Sequence, residues 1–313
     1  GSPVTYIGAV ATEDDWTNAI IEAGSLDEPY YFVASKTATS APSTTDNGLG
    51  ELQTELTNQT APSNGKDNRL FYGLVGTSAE AITVPPAAPM NSPFSHGIQL
   101  EDCPLLPGQI AAFVCAFVRR LEVAHPNANC NRAVMVGIPA PYSADDYPTN
   151  TEVTSQLNNG VTPLKVEKGR VILHRFVSNR CLNDDGLADF KAREGQIGSV
   201  MHFVNVEAQQ RYRNIAQDMA DYDVEGADKP IENFTTPSDV RAMWEGIFND
   251  LSGSRPLGQY RGPMLAPSRV TEMKERLDVS YNGLGKFPVT ARLFVAQHNL
   301  GTLVRQEELS VDY

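Results

Sequence analysis

The stretch LNNGVTPLKVEKGRVILHRFVSN, residues 157–179, decides how the chain is read. Gly160 fits the position just past a helix end, where the backbone turns left-handed and a Cβ would clash. The residues leading to it, PTNTEVTSQLNNG (148–160), offer Thr149 and Asn150 as capping side chains and predict that helix. Beyond Gly160, TPLKVEKGRVILHRF predicts a hairpin with Lys168-Gly169 at its turn. His174 lies in the second arm. At a period of two it shares a face with Ile172 and Phe176, opposite Val171, Leu173 and Arg175. With no base or nucleophile beside it, packing is the expected role and catalysis is not.

Working outward, EPYYFVASKT (28–37) and RLFYGLVGTS (69–78) predict buried strands, and LGELQTELTNQ (49–59) a helix with Leu49, Leu52 and Leu56 at helical spacing. TVPPAAPMNSPFSHG (83–97) is too dense in proline for a helix or an inner strand. The clearest helix is PGQIAAFVCAFVRRLEVAHP (107–126): Ile110, Phe113, Val114, Phe117, Val118 and Leu121 recur every three or four residues, and Pro126 stops it. RAVMVGIPAP (132–141) reads as a third continuous apolar strand. This strand–helix rhythm predicts an α/β fold, a mostly parallel helix-covered sheet with β-hairpin additions.

Downstream, 198–223 predicts a long amphipathic helix through Val204, Val206, Tyr212, Ile215, Met219 and Tyr222, with Asn205 as candidate N-cap. TTPSDVRAMWEGIFNDLSGS (235–254) predicts another, capped by Ser238, with Val240, Met243, Trp244, Ile247, Phe248 and Leu251 on one face. VTARLFVAQ (289–297) alternates at Val289, Ala291, Leu293 and Val295, a strand with one solvated face. These elements predict a smaller C-terminal α+β unit. The expected domains are 1–225 and 226–313, with the boundary near 224–234.

The 313 residues carry a net charge of −13. An acidic surface repels both nucleic acid and anionic lipid, so no nucleic acid and no membrane are the expected partners. IAAFVCAFV (110–118) is about half the roughly 20 residues a membrane span needs. Gly1-Ser2 reads as a tag scar and the chain as a fragment of a longer protein. Cys103, Cys115, Cys130 and Cys181 show no C-x-x-C pair and read as reduced structural thiols.

Common chemical devices are missing from the sequence. It has no G-x-G-x-x-G after a strand, no G-x-x-x-x-G-K-[ST] and no H-E-x-x-H, and His96, His125, His174, His202 and His298 are scattered. GTSAE (76–80) lacks the second glycine of a nucleophile elbow. NDDG (183–186) reads as a solvated turn; Asp14-Asp15 and Asp145-Asp146 are adjacent pairs whose side chains point apart. Asn58 and Asn233 stand in short N-x-T sequons, and Arg119, Arg120 and His125 suit the end of a helix. No catalytic, cofactor-binding or metal-binding residue is assigned, and the expectation is a non-enzyme without cofactors. The alternative is an α/β hydrolase using Ser78, an acid such as Asp145, and His174 or His202.

The words QLNNGVTPL and VEKGRVILHRFVSN resemble contractile tail sheath proteins of bacteriophages, particularly the Mu-like group. There a helix ending N-N-G-[IV]-[AT]-x-L leads into G-x-V-x-I-x-R-x-[IV]-[ST]. The likeness extends in element order over roughly residues 20–220 and in recognisable words over 155–180. It implies an α/β sheath core with further domains on the outside. Subunits of such a sheath stack as hexameric rings around a tail tube and slide between two packing states during contraction and genome delivery. The implied partners are other copies of the chain and the tail tube protein; the implied place is the virion tail, after synthesis in the host bacterial cytoplasm. The chain departs from the pattern at SNRCLNDDG and the polar insertion after it, and the linking terminal arms are not recognisable.

Overall fold

The computed structural model describes residues 31–38, 49–59, 68–189, 193–216, 237–253, 262–280, 288–296 and 305–311, with Asn18 and Glu22. The chain divides into two compact units, residues 1–123 with 128–198, and residues 124–127 with 199–313. The expected boundary near 225 lies outside the described residues, as do Asp14, Asp15, Met219, Tyr222, Asn233 and His298.

The first unit is built on a mixed sheet. Strands β1 (Tyr31–Ala38), β2 (Arg69–Leu74) and β3 (Ser95–Gln99) lie parallel and in sequence order. A short strand β4 (Ala133–Val134) sits at the far edge, and β5 (Val161–Glu167) and β6 (Arg170–Leu173) fill the space between, giving the order β1-β2-β3-β5-β6-β4. β5 is parallel to β3, while β6 runs antiparallel to both its neighbours. The connections carry helices α1 (Leu49–Gln59), α2 (Ser78–Ala81), α3 (Pro107–Ala124) and α4 (Asn150–Asn158).

Both faces of the sheet are covered. Leu70, Tyr72 and Leu74 of β2 join Leu49 and Leu56 of α1, with Met90 and Val161, in one buried cluster. Phe71 points the other way, into a cluster with Ile98, Leu164, Leu173 and the Ile110, Val114 and Val118 stripe of α3. A strand buried on both faces has no reason to alternate, which is why LFYGL follows Arg69 without a charged residue. The buried stripe of α3 also takes in Ala111, Cys115 and Glu122, while Phe113 is 41% exposed, so the helix is rotated relative to the expected face.

Two strand expectations are corrected. The inner strand after β2 is SHGIQ, at the end of the proline-dense segment, and all five residues are buried. Its buried polar groups, side chain and backbone, are tolerated because neighbours satisfy them. Ser95 Oγ donates to Gln53, Gln99 Nε2 donates to Gly76 O at 3.0 Å, and Gly97 N donates to Asn179 Oδ1 at 2.8 Å. Conversely, RAVMVGIPAP supplies only Ala133 and Val134 as strand. Gly137 takes a positive φ of 99°, Met135 and Ile138 turn into the core, and Val136 stays 86% exposed.

The opening stretch folds as read at its helix end and its turn. The second arm, however, stops at Leu173, so His174 lies beyond it, and Phe176 joins Val171 and Leu173 in one core cluster and not the face opposite them. Thr149 caps α4: its Oγ1 accepts from Glu152 N at 3.2 Å, and Glu152 Oε2 accepts from Thr149 N at 2.7 Å, a reciprocal box. Gly160 has φ +75°, and a Cβ there would meet Asn179 O at 2.8 Å. Lys168 and Gly169 have φ 50° and 72°, the signature of a tight two-residue hairpin turn between Glu167 and Arg170.

In the second unit, α5 (Gln196–Ala216) begins well before Asn205, which is buried inside the helix and is not its cap. Helix α6 (Pro237–Ser252) starts one residue before Ser238 and buries all six expected side chains, Trp244 and Phe248 completely. After α7 (Val270–Glu275), strands β7 (Asp278–Val279), β8 (Val289–Val295) and β9 (Arg305–Val311) form an antiparallel sheet in that order. Val289, Ala291, Leu293 and Val295 are buried as the alternation predicts, and Phe294 is buried as well. Among the described residues, no helix is long and apolar enough to cross a membrane.

Candidate functional site

The first unit carries a cavity of about 160 Å³ beyond the carboxyl ends of β2 and β3. This is where open α/β sheets usually take ligands. Five carboxylates line it: Glu101, Asp102, Asp145, Asp146 and Glu152. Asp145 and Asp146 sit in a 3-10 turn, Ala144–Asp146, capped by Ser143, and Glu152 belongs to the first turn of α4. Glu152 has its carboxyl held below the usual range by the Thr149 backbone N–H, with the Thr149 hydroxyl adding to it. Ser78 N donates to Glu101 Oε2 at 3.0 Å.

Ser78 and Asp145, two members of the hydrolase alternative, therefore share a cavity. The hydroxyl, however, is met by Gln156 Nε2, which donates to Ser78 Oγ at 3.1 Å. An amide cannot take the proton a nucleophilic serine must lose, and no histidine lines the cavity. His174 follows the end of β6, with its N–H donated to Pro163 O at 3.1 Å and its Nδ1 buried without a hydrogen bond. Burial first, then the charges of Lys165 and Arg132, holds its imidazole below the usual pKa. His202 is half-buried on α5, in the second unit. Among the described residues, no three His, Cys, Asp or Glu side chains are placed to hold a metal ion. All four cysteines are free thiols, three of them buried. NDDG is a solvated turn in which Asn183 Oδ1 accepts from Asp185 N and Leu187 N.

A buried polar constellation lies in the core, at the amino ends of the parallel strands, and the sequence does not announce it. Arg69 opens β2 and is 1% exposed; His96 on β3 is 0% and Glu122 on α3 is 5% exposed. Arg69 Nη1 donates to Glu122 Oε1 in a buried ion pair. Nη2 donates to Gly195 O at 2.8 Å and lies 2.7 Å from His96 Nε2. The guanidinium also stands over the rings of Phe71 and Phe176, at 5.6 and 5.5 Å. One signal was available in the sequence. Glu122 follows Val118 by four residues on the buried stripe of α3, and a carboxylate at such a position needs a cation.

Comparison with known proteins places the fold. No protein-family model matches the chain, and no curated protein matches it in sequence. The fold is similar to that of a sheath tail protein: the chain superposes on the crystal structure of one from Desulfitobacterium hafniense with a TM-score of 0.60. Sequence identity over the match is 10%, and it covers 98% of this chain and 61% of that one. The chain thus spans about three-fifths of the length of that sheath tail protein.

Proposed function

We propose that the chain is a structural subunit of a contractile phage tail sheath. The observation that carries the reading is the fold likeness to a sheath tail protein over 98% of the chain. The hairpin words of residues 157–179, which resemble the Mu-like group, support it independently of any coordinates. In this role the partners are further copies of the chain and the tail tube protein, and the place is the virion tail. Copies meet head to tail, because a stacked tube needs heterologous contacts that repeat. Contraction is a passage between two ring-to-ring packings, and its energy lies in the difference between those packings, not in any residue's chemistry. The cavity fits a structural role, since its serine is hydrogen-bonded to an amide.

Gold-labelled antibody against the chain tests this on tailed particles from its source. Labelling spread along the whole tail is expected, with the labelled length shortening in contracted particles. Labelling confined to the head, to one tail tip or to no part of the particle contradicts the proposal.

A further inference from the structure

We infer that Arg69, His96 and Glu122 form an acid-released lock: with His96 neutral the trio ties β2, β3 and α3 together, and protonation of His96 lets them part. The inference stands on geometry and is independent of the sheath reading. Arginine can only donate. Arg69 Nε and Nη2 approach His96 Nε2 at 3.2 and 2.7 Å, so that nitrogen must present its lone pair. The other ring nitrogen, Nδ1, lies 2.9 Å from Val177 O, which can only accept, so Nδ1 carries the hydrogen. One tautomer is therefore imposed, and both ring nitrogens are in use.

A second proton has only Nε2 to go to, where it would point at two guanidinium donors. It would also take the trio from net neutral to one net positive charge in a site closed to water. Phe71 and Phe176 wall the imidazole with ring centroids 4.8 and 4.6 Å away. Among the described residues, the titratable groups on the neighbouring elements do not supply a compensating negative charge. From α3 and the segment after it, the Cys115 and Cys130 thiols are pushed up by burial to about 11 and about 12 and stay neutral. From the segment before α5, the Glu194 carboxylate is paired with Arg175. Burial first, and Arg69 second, hold the His96 imidazole well below its ordinary value.

The direction of the pH effect follows. A histidine whose pKa is depressed by folding is proton-free in the folded state, while the unfolded chain takes up the proton near pH 6.5. Stability from the lock is fully present above that pH. Below it, the opening constant rises about tenfold for each pH unit until the folded imidazole itself titrates.

Amide hydrogen exchange, corrected for its intrinsic pH dependence, reads this on the whole protein and its His96→Gln variant. Glutamine can accept from Arg69 and donate to Val177 without titrating. Between pH 6.5 and 5.0 the β2 and β3 amides of the wild type should lose about fifteenfold in protection relative to the variant. Parallel pH profiles in the two proteins overturn the inference. Should the variant fail to fold, nitrogen-15 shifts of the wild-type imidazoles decide. An Nδ1–H ring that stays neutral to pH 5.5 in the folded protein upholds the lock, and a ring that titrates near 6.5 overturns it.

Discussion

Arg69 shows how one residue joins distant parts of the chain. Its guanidinium reaches Glu122 on α3, His96 on β3 and the Gly195 carbonyl in the turn before α5. Removing one partner of such a buried pair strands the other charge, which costs about 3–5 kcal/mol, whereas replacing both with apolar groups of similar volume is often neutral. Arg69→Met is accordingly expected to destabilise the first unit by about 3–5 kcal/mol, and Arg69→Met with Glu122→Leu to recover most of that. Urea denaturation of the three proteins measures it; a single variant within about 1 kcal/mol of wild type would show that the pair carries no such burden. The sequence marks Glu122 as odd, because it stands on an apolar helical stripe. It cannot reveal the partner, since the pairing spans 53 residues and depends on how α3 is rotated on the sheet.

Local rules were most reliable where one element meets the next. The run from Thr149 to Arg170 needs a capped helix, a left-handed exit and a two-residue turn, and each requirement is met by a residue at a fixed spacing. Gly160 carries two constraints together, a positive φ and a close backbone at Asn179. Gly186 has the same φ of +75° with nothing near its missing Cβ. Gly186→Ala should therefore cost only the left-handed strain, about 1–2 kcal/mol. Gly160→Ala should cost clearly more, because the link between α4 and β5 must also move away from the Asn179 backbone. Thermal or chemical denaturation of the two variants side by side checks the order, and equal losses would mean that Asn179 yields easily. Where element reading failed, the cause was tertiary. SHGIQ is an inner strand because Gln53, Asn179 and Gly76 satisfy polar groups that look exposed in sequence. RAVMVGIPAP looks like a strand, yet its left-handed Gly137 and two prolines limit the pairing to Ala133 and Val134.

At the scale of the molecule, periodicity predicted an α/β sheet followed by a smaller α+β part, and the structure has both. The cavity was not legible, because its carboxylates come from three separate segments that the sequence does not mark as neighbours. The likeness to sheath proteins was legible only through the hairpin words and their place in the order of elements. The likeness to a sheath tail protein at 10% identity is a likeness of fold, and fold alone does not fix function. A sheath subunit is defined by what many copies build together. Electron microscopy of the full-length protein, concentrated without any partner, is the direct measurement. The account predicts stacked rings or hollow tubes of regular diameter; dispersed single subunits at every concentration would contradict it.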